Sequence, residues 1–203
     1  MGLDMYLYRI RKLDEDEIDE LNKIDYEKLC RLDFTILTLA DEDDMARVRH
    51  IRPWITVVKK DVRVRDYDAI KREAGIPEDA HLSGSCYTNG RTAFIFRKDK
   101  QRYEMCWEKF TQEQRDRCTG TATYDIAVWR ESEVAYWRKE YKLQTRIHSA
   151  CSTPILNCGY YPLNDEMRKV VLAYEKSRED GRQVHAADLE STDSSVVCYH
   201  EWY

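Results

Sequence analysis

The chain has 203 residues, 42% hydrophobic and 35% charged, with only 7 Gly and 4 Pro. A core of that size buries most of its apolar surface without metals or disulfides as staples. So few breakers exclude long disordered linkers and a turn-dense β-sandwich. The net charge of −5 is unevenly placed: residues 1–44 hold 6 Lys/Arg against 14 Asp/Glu, residues 45–150 hold 22 against 15, and residues 151–203 hold 5 against 9. Phosphate neutralisation drives duplex nucleic-acid binding, so a net-acidic chain is not expected to bind duplexes. A basic middle can still hold a small anionic ligand, although such a run also serves as a plain solvated face.

In chain order, Gly2–Arg9 alternates Leu3, Met5 and Leu7 with Asp4, Tyr6 and Tyr8 and reads as a half-buried strand. Asp14–Leu32 reads as a helix through Ile18, Leu21, Ile24, Leu29 and Leu32. Its acidic first turns complement the positive end of the helix dipole, which accounts for them without a metal. Phe34–Leu39 is a short apolar run, and Asp41–Asp44 begins a short helix reaching His50. Trp54–Arg65 is β-rich, as one strand or two bent near Lys59–Asp61, and Asp66–Ala74 reads as a helix stopped by Gly75 and Pro77.

The sharpest local signal is Asn89-Gly90, which supplies two positive φ angles between Leu82–Tyr87 and Thr92–Phe96 and predicts a β-hairpin. Arg102–Trp107 adds a strand, Thr111 caps a helix to about Cys118, and Thr121–Trp129 reads as another strand. Ser132 is expected to cap the longest helix, to about Ala150, burying Val134, Trp137, Tyr141 and Ile147. Gly159–Tyr161 reads as a short strand. Asn164 caps a helix with Met167, Val170, Val171 and Tyr174 inward, which ends at Gly181; Val184–Ser195 reads as a loop or short turn and Val196–His200 as a last strand. Helices and strands are interspersed without βαβ alternation, which predicts an α+β fold: a mainly antiparallel sheet with four to six helices. The expected organisation is one domain over 1–203, with 54–130 as an inserted β-rich subdomain.

No apolar run is long enough to cross a membrane. The opening MGLDMYLYRIRK carries Asp4 too early for a signal peptide, and Tyr6 stands where a myristoylation pattern requires Ser or Thr. A cytoplasmic protein is expected. Cys30, Cys86, Cys106, Cys118, Cys151, Cys158 and Cys198 form no CxxC pair and no zinc-finger spacing, so free buried thiols are expected, with no metal and no cofactor.

Two stretches are distinctive together: the opening GLDMYL, and EVAYWRK at Glu133–Lys139 followed by Ile147-His148 and Cys158-Gly159 with Tyr161. This order resembles a family of small uncharacterised proteins of tailed phages, prophages and their hosts. The chain departs from that pattern at Tyr160, where the family has Glu, and at Ser149-Ala150, where an aromatic residue commonly follows Ile-His. The resemblance covers about a third of the chain. It implies a phage or prophage setting, hence a host cytoplasm, and no reaction.

Phosphate-loop, dinucleotide, zincin and nucleophile-elbow motifs are absent, which weakens enzyme readings. Asp4 is expected either to pair with an arginine such as Arg138 or to floor a pocket. Trp137 is expected in the core or as a ligand platform. His148 is a silent hydrogen-bonded histidine or a general base. The functional expectation is a non-catalytic pocket of Asp4, Tyr6, Tyr136, Trp137, Arg138, Lys139 and His148 that holds a small anionic, nucleotide-like signal of host defence. The alternative is a module that binds and modulates a host protein. A nucleotide hydrolase using Asp4 and His148 ranks third, and a homo-oligomer is compatible with each reading.

Overall fold

In the computed structural model, which describes residues 2–178 and 184–203, the opening alternation forms strand β1 (Asp4–Arg11). Met5 and Leu7 point to one face and are fully buried, while Tyr6 and Tyr8 occupy the other and are half-buried. β1 pairs antiparallel with two long partners, β7 (Thr119–Arg138) and β9 (Ser195–Trp202). The sheet runs β2 (Thr35–Thr38), β7, β1, β9, β8 (Tyr160–Pro162), and β3 (Thr56–Arg65) also pairs with β7. The fold is α+β, with antiparallel sheets of six and three strands and seven α-helices among the described residues. None of those helices is long and apolar enough to cross a membrane.

The chain divides into two compact units, Met1–Lys60 with Tyr124–Tyr203, and Asp61–Thr123. In the first, each sheet face carries a core. On one face Met5, Leu7, Trp137 and Tyr199 pack with Leu143 and Ile147 of α6 (Tyr141–Ala150) and with Met167 and Val171 of α7 (Asp165–Lys176). On the other, Ile10, Trp129, Tyr160 and Val196 pack with Val48 of α3 (Glu42–Val48) and Ile51 of the 3₁₀ turn Arg49–Trp54. Each fully buried Leu, Ile or Met side chain contributes roughly 1.5–3 kcal/mol.

In the second unit, α4 (Tyr67–Ala74), the hairpin β4 (His81–Thr88) and β5 (Arg91–Lys98), β6 (Gln101–Cys106) and α5 (Gln112–Arg117) enclose Ile70, Phe94, Phe96, Met105 and Cys118. Asn89 and Gly90 take φ of 53° and 75° at the hairpin turn, with Thr88 opposite Arg91. A Cβ-bearing residue pays a steric penalty in that region, which is why Asn-Gly reads so clearly in the sequence.

Several expectations are corrected. The helix expected from Ser132 to Ala150 begins only at Tyr141, as α6, because Ser132–Arg138 instead closes the 20-residue β7. Asp14–Leu32 splits into α1 (Glu15–Lys23) and α2 (Tyr26–Leu29), because Asp25 accepts from Lys28 N–H and starts a new helix. The buried Lys60 donates to the carbonyls of Leu21 and Ile24 where α1 ends. β3 is a single strand, one of the two readings left open for that segment, and the 3₁₀ turn Ala186–Leu189 agrees with the loop or short turn expected there. Of the seven free cysteines only Cys118 and Cys198 are buried; Cys30 and Cys86 are exposed. The helix stop expected at Gly181 lies outside the described residues.

Candidate functional site

The two distinctive sequence stretches prove to be neighbouring strands. Asp4 lies opposite Arg138, Met5 opposite Trp137, Tyr6 opposite Tyr136 and Leu7 opposite Ala135. The register then shifts, so that Tyr8 faces Glu133 and Ile10 faces Glu131, leaving Val134 as the extra residue of a bulge. The consequence is chemical. Without that residue Val134 would stand beside Tyr8; with it, Glu133 and Glu131 move onto the tyrosine side of the sheet. His200 of β9 lies opposite both Tyr6 and Tyr160, completing that side.

The rings form a continuous group. Tyr6 and Tyr8 stack at 5.1 Å and 10°, Tyr6 lies 4.9 Å from Tyr136, and His200 lies 5.8 Å from Tyr8 and 4.5 Å from Tyr160. Tyr136 is exposed and Tyr160 is buried, so the group runs from solvent into the core beneath α3. Acids border it. Asp4 accepts from the Tyr136 hydroxyl at 2.7 Å and lies 3.8 Å from Arg138 Nε. Glu131 accepts from Trp129 Nε1 at 3.0 Å and from the Tyr160 hydroxyl at 3.2 Å.

The electrostatics follow from this placement. Burial raises the Tyr6 hydroxyl pKa, helped by the charges of Asp4 and Glu133. Burial likewise raises that of Tyr8, helped by Glu131, Tyr6 and Glu133. The Tyr136 hydroxyl is raised by its hydrogen bond to Asp4, then by burial. Burial lowers the His200 pKa and so favours the neutral imidazole, against the raising effects of its hydrogen bond with the Gly159 backbone and of the Glu201 charge. The face therefore offers aromatic rings and carboxylates, with the Arg138 guanidinium at its edge.

Of the residues singled out from sequence, Asp4, Tyr6, Tyr136 and Arg138 gather here. The other three do not. Trp137 points into the helix-covered core, 3% exposed, and donates its indole N–H to the buried Glu175 at 2.8 Å. His148 on α6 lies over that same core, its Nε2 2.9 Å from Glu201. Glu201 is fully buried and also accepts from Tyr199 at 2.6 Å and Gln144 at 3.0 Å. Lys139 follows the last residue of β7 with φ 59°; its backbone N–H donates to Leu3 and its side chain lies against Gly2. A cavity of about 420 Å³ at the bulge is lined by Arg9, Glu133, Val134 and Glu175 among others; Tyr136 and Trp137 reach it, whereas Asp4, Tyr6, Arg138, Lys139 and His148 do not.

The Cys158-Gly159 pair is a packing device. Cys158 turns the chain at φ 62°, and a Cβ on Gly159 would sit 2.8 Å from the Tyr161 ring. The Tyr161 hydroxyl accepts from Leu156 N–H at 2.7 Å, fixing the ring across the turn. Sequence reasoning had not placed Tyr8, Glu131, Glu133 or His200 in the site. The bulge decides which face Glu131 and Glu133 occupy, and no local signal in the sequence marks it. Comparison with family models, curated proteins and solved structures finds no match.

Proposed function

We propose that this chain is a non-catalytic binding protein that engages another protein through the open tyrosine face of its larger sheet. The observation that carries this reading is the group Tyr6, Tyr8 and Tyr136, held in contact on a sheet face with its outer member exposed. Tyrosine gives large contact area for little lost conformational entropy, and its hydroxyl tolerates a wet rim, so it is enriched at protein interfaces. Trp202, exposed on the strand position opposite Asp4, extends the same surface. The resemblance to phage and prophage proteins supports a bacterial host protein as the partner, with binding serving to inhibit or modulate it.

Affinity capture from bacterial lysate tests this with the wild-type chain beside a Tyr6→Ser/Tyr136→Ser variant. A stoichiometric protein retained by the first and lost by the second is the expected result. Equal retention by both would overturn the assignment of the face.

A second reading, sequestration of a small nucleotide-like anion, draws on Tyr6–Tyr8 stacking and the exposed guanidinium of Arg138. The carboxylates bordering the rings disfavour it, because they repel phosphate. Calorimetry with a panel of cyclic and ADP-ribose-derived nucleotides separates the two: submillimolar binding of any member supports sequestration.

A further inference from the structure

We infer that the tyrosine face recognises a cationic side chain of the partner, an arginine guanidinium lying against Tyr6, Tyr8 and Tyr136 between Asp4 and Glu133. This rests on the protein-binding reading above and names the chemistry of the contact.

The argument begins with parity. The Val134 bulge brings Glu133 beside Tyr8, where regular pairing would place a valine. Glu133 is exposed, and no hydrogen bond or ion pair to it occurs among the described residues. A carboxylate with no structural duty, next to stacked rings, is a charge available to a ligand. Asp4 closes the other end, with its side chain 19% exposed. Its second oxygen, Oδ2, takes no part in the Tyr136 and Arg138 contacts, both of which are made by Oδ1.

The rings add to the same preference. The face of a tyrosine is the negative pole of its quadrupole, so a planar cation is attracted to it, and guanidinium, being weakly hydrated, loses little on leaving water. Arg130 over the Phe34 ring at 4.4 Å and Arg65 over Phe94 at 5.0 Å show this chain using the same contact within its own units. Burial favours the neutral form of His200 beneath the rings, which adds no opposing charge. Arg138 is a cation at the edge; its guanidinium reaches Asp4 at a loose 3.8 Å and is two-thirds exposed, so it can swing aside.

The test is a titration of the full ¹⁵N-labelled chain, followed by amide shifts, with N-acetyl-arginine amide as probe. N-acetyl-citrulline amide serves as its neutral isostere and AMP as an anionic planar control. The expected result is saturable shifts at Tyr6, Tyr8, Glu133 and Tyr136 with the arginine probe, at least about fivefold weaker with citrulline, consistent with a modest cation–π and ion-pair contribution. An Asp4→Asn/Glu133→Gln variant, which keeps the acceptor for Tyr136, is expected to lose that difference. Equal response to arginine and citrulline overturns the inference, as does response to AMP alone. A host protein captured in a Tyr6-dependent way while the arginine probe moves none of these residues overturns the cation and leaves the protein-binding reading standing. Arginine-specific shifts combined with Tyr6-independent capture do the reverse.

Discussion

Replacing Glu201 should markedly destabilise the helix-covered side of the sheet. The carboxylate is fully buried on β9, opposite Met5, and three donors converge on one of its oxygens: Tyr199, Gln144 and His148. Its other oxygen is buried with no partner among the described residues, so burying this charge carries a desolvation cost of its own. The net worth of the network is therefore smaller than three charge-assisted bonds. Glu201→Ala nevertheless strands the Tyr199 hydroxyl in the core, whereas Gln144 and His148, on the flank of α6, can turn toward water. An unsatisfied buried donor costs about 1–3 kcal/mol, and the cavity adds about another 1 kcal/mol. A total of about 2–4 kcal/mol corresponds to roughly 4–16 °C in melting temperature for a chain of this size. Urea and thermal unfolding followed by far-UV circular dichroism measure it. Glu201→Gln keeps volume and one acceptor, so it is expected to lie between the alanine variant and the parent. An alanine variant within about 0.5 kcal/mol of the parent, below the range set by a stranded donor, would refute the reasoning.

Trp137→Phe removes the donor to Glu175 while keeping most of the ring volume; a destabilisation of about 1.5–3 kcal/mol is expected in urea melts, with unchanged response to the arginine probe. Gly159→Ala forces the Tyr161 ring off its 2.8 Å approach and should cost about 1–3 kcal/mol, whereas Cys158→Gly, relieving a positive φ, should be neutral or stabilising. The Glu17 carboxyl is raised by burial but held at about 2 by the stronger pull of hydrogen bonds from Arg11 and Arg130. Its folded pKa lies below the unfolded value. Its contribution, on the order of 1–3 kcal/mol, is thus complete above pH 4.5 and lost as pH falls toward 2. Glu17→Gln should flatten the acid limb of a stability–pH curve in that window.

Much of the local structure was legible because single residues enforce it. Asn89-Gly90 fixed the hairpin, Asp66, Thr111 and Asn164 cap their helices through side-chain acceptors, and Leu3, Met5 and Leu7 declare the buried side of β1. The stretch from Ser132 to Arg138 was misread for an equally physical reason. Val134, Trp137, Tyr141 and Ile147 fall near helical spacing, while the true alternation of Ala135 and Trp137 is interrupted by the bulge residue between them and Glu133. A strand whose parity changes midway does not look like a strand. The same parity change conceals which acids accompany the tyrosines, since only pairing with β1 decides it. Trp137 and His148 were drawn into the expected site by residue type, yet tertiary packing turns both toward the opposite face, against Glu175 and Glu201.

Oxidative footprinting of tyrosines in the captured complex tests the central claim most directly. Tyr136 is 41% exposed, as against 75% for Tyr87 and 57% for Tyr141, so all three react in the free chain. Tyr136 should become protected when the partner binds, with Tyr87 and Tyr141 reacting as before. Undiminished oxidation of Tyr136 in a saturated complex would place the binding surface elsewhere and contradict the account.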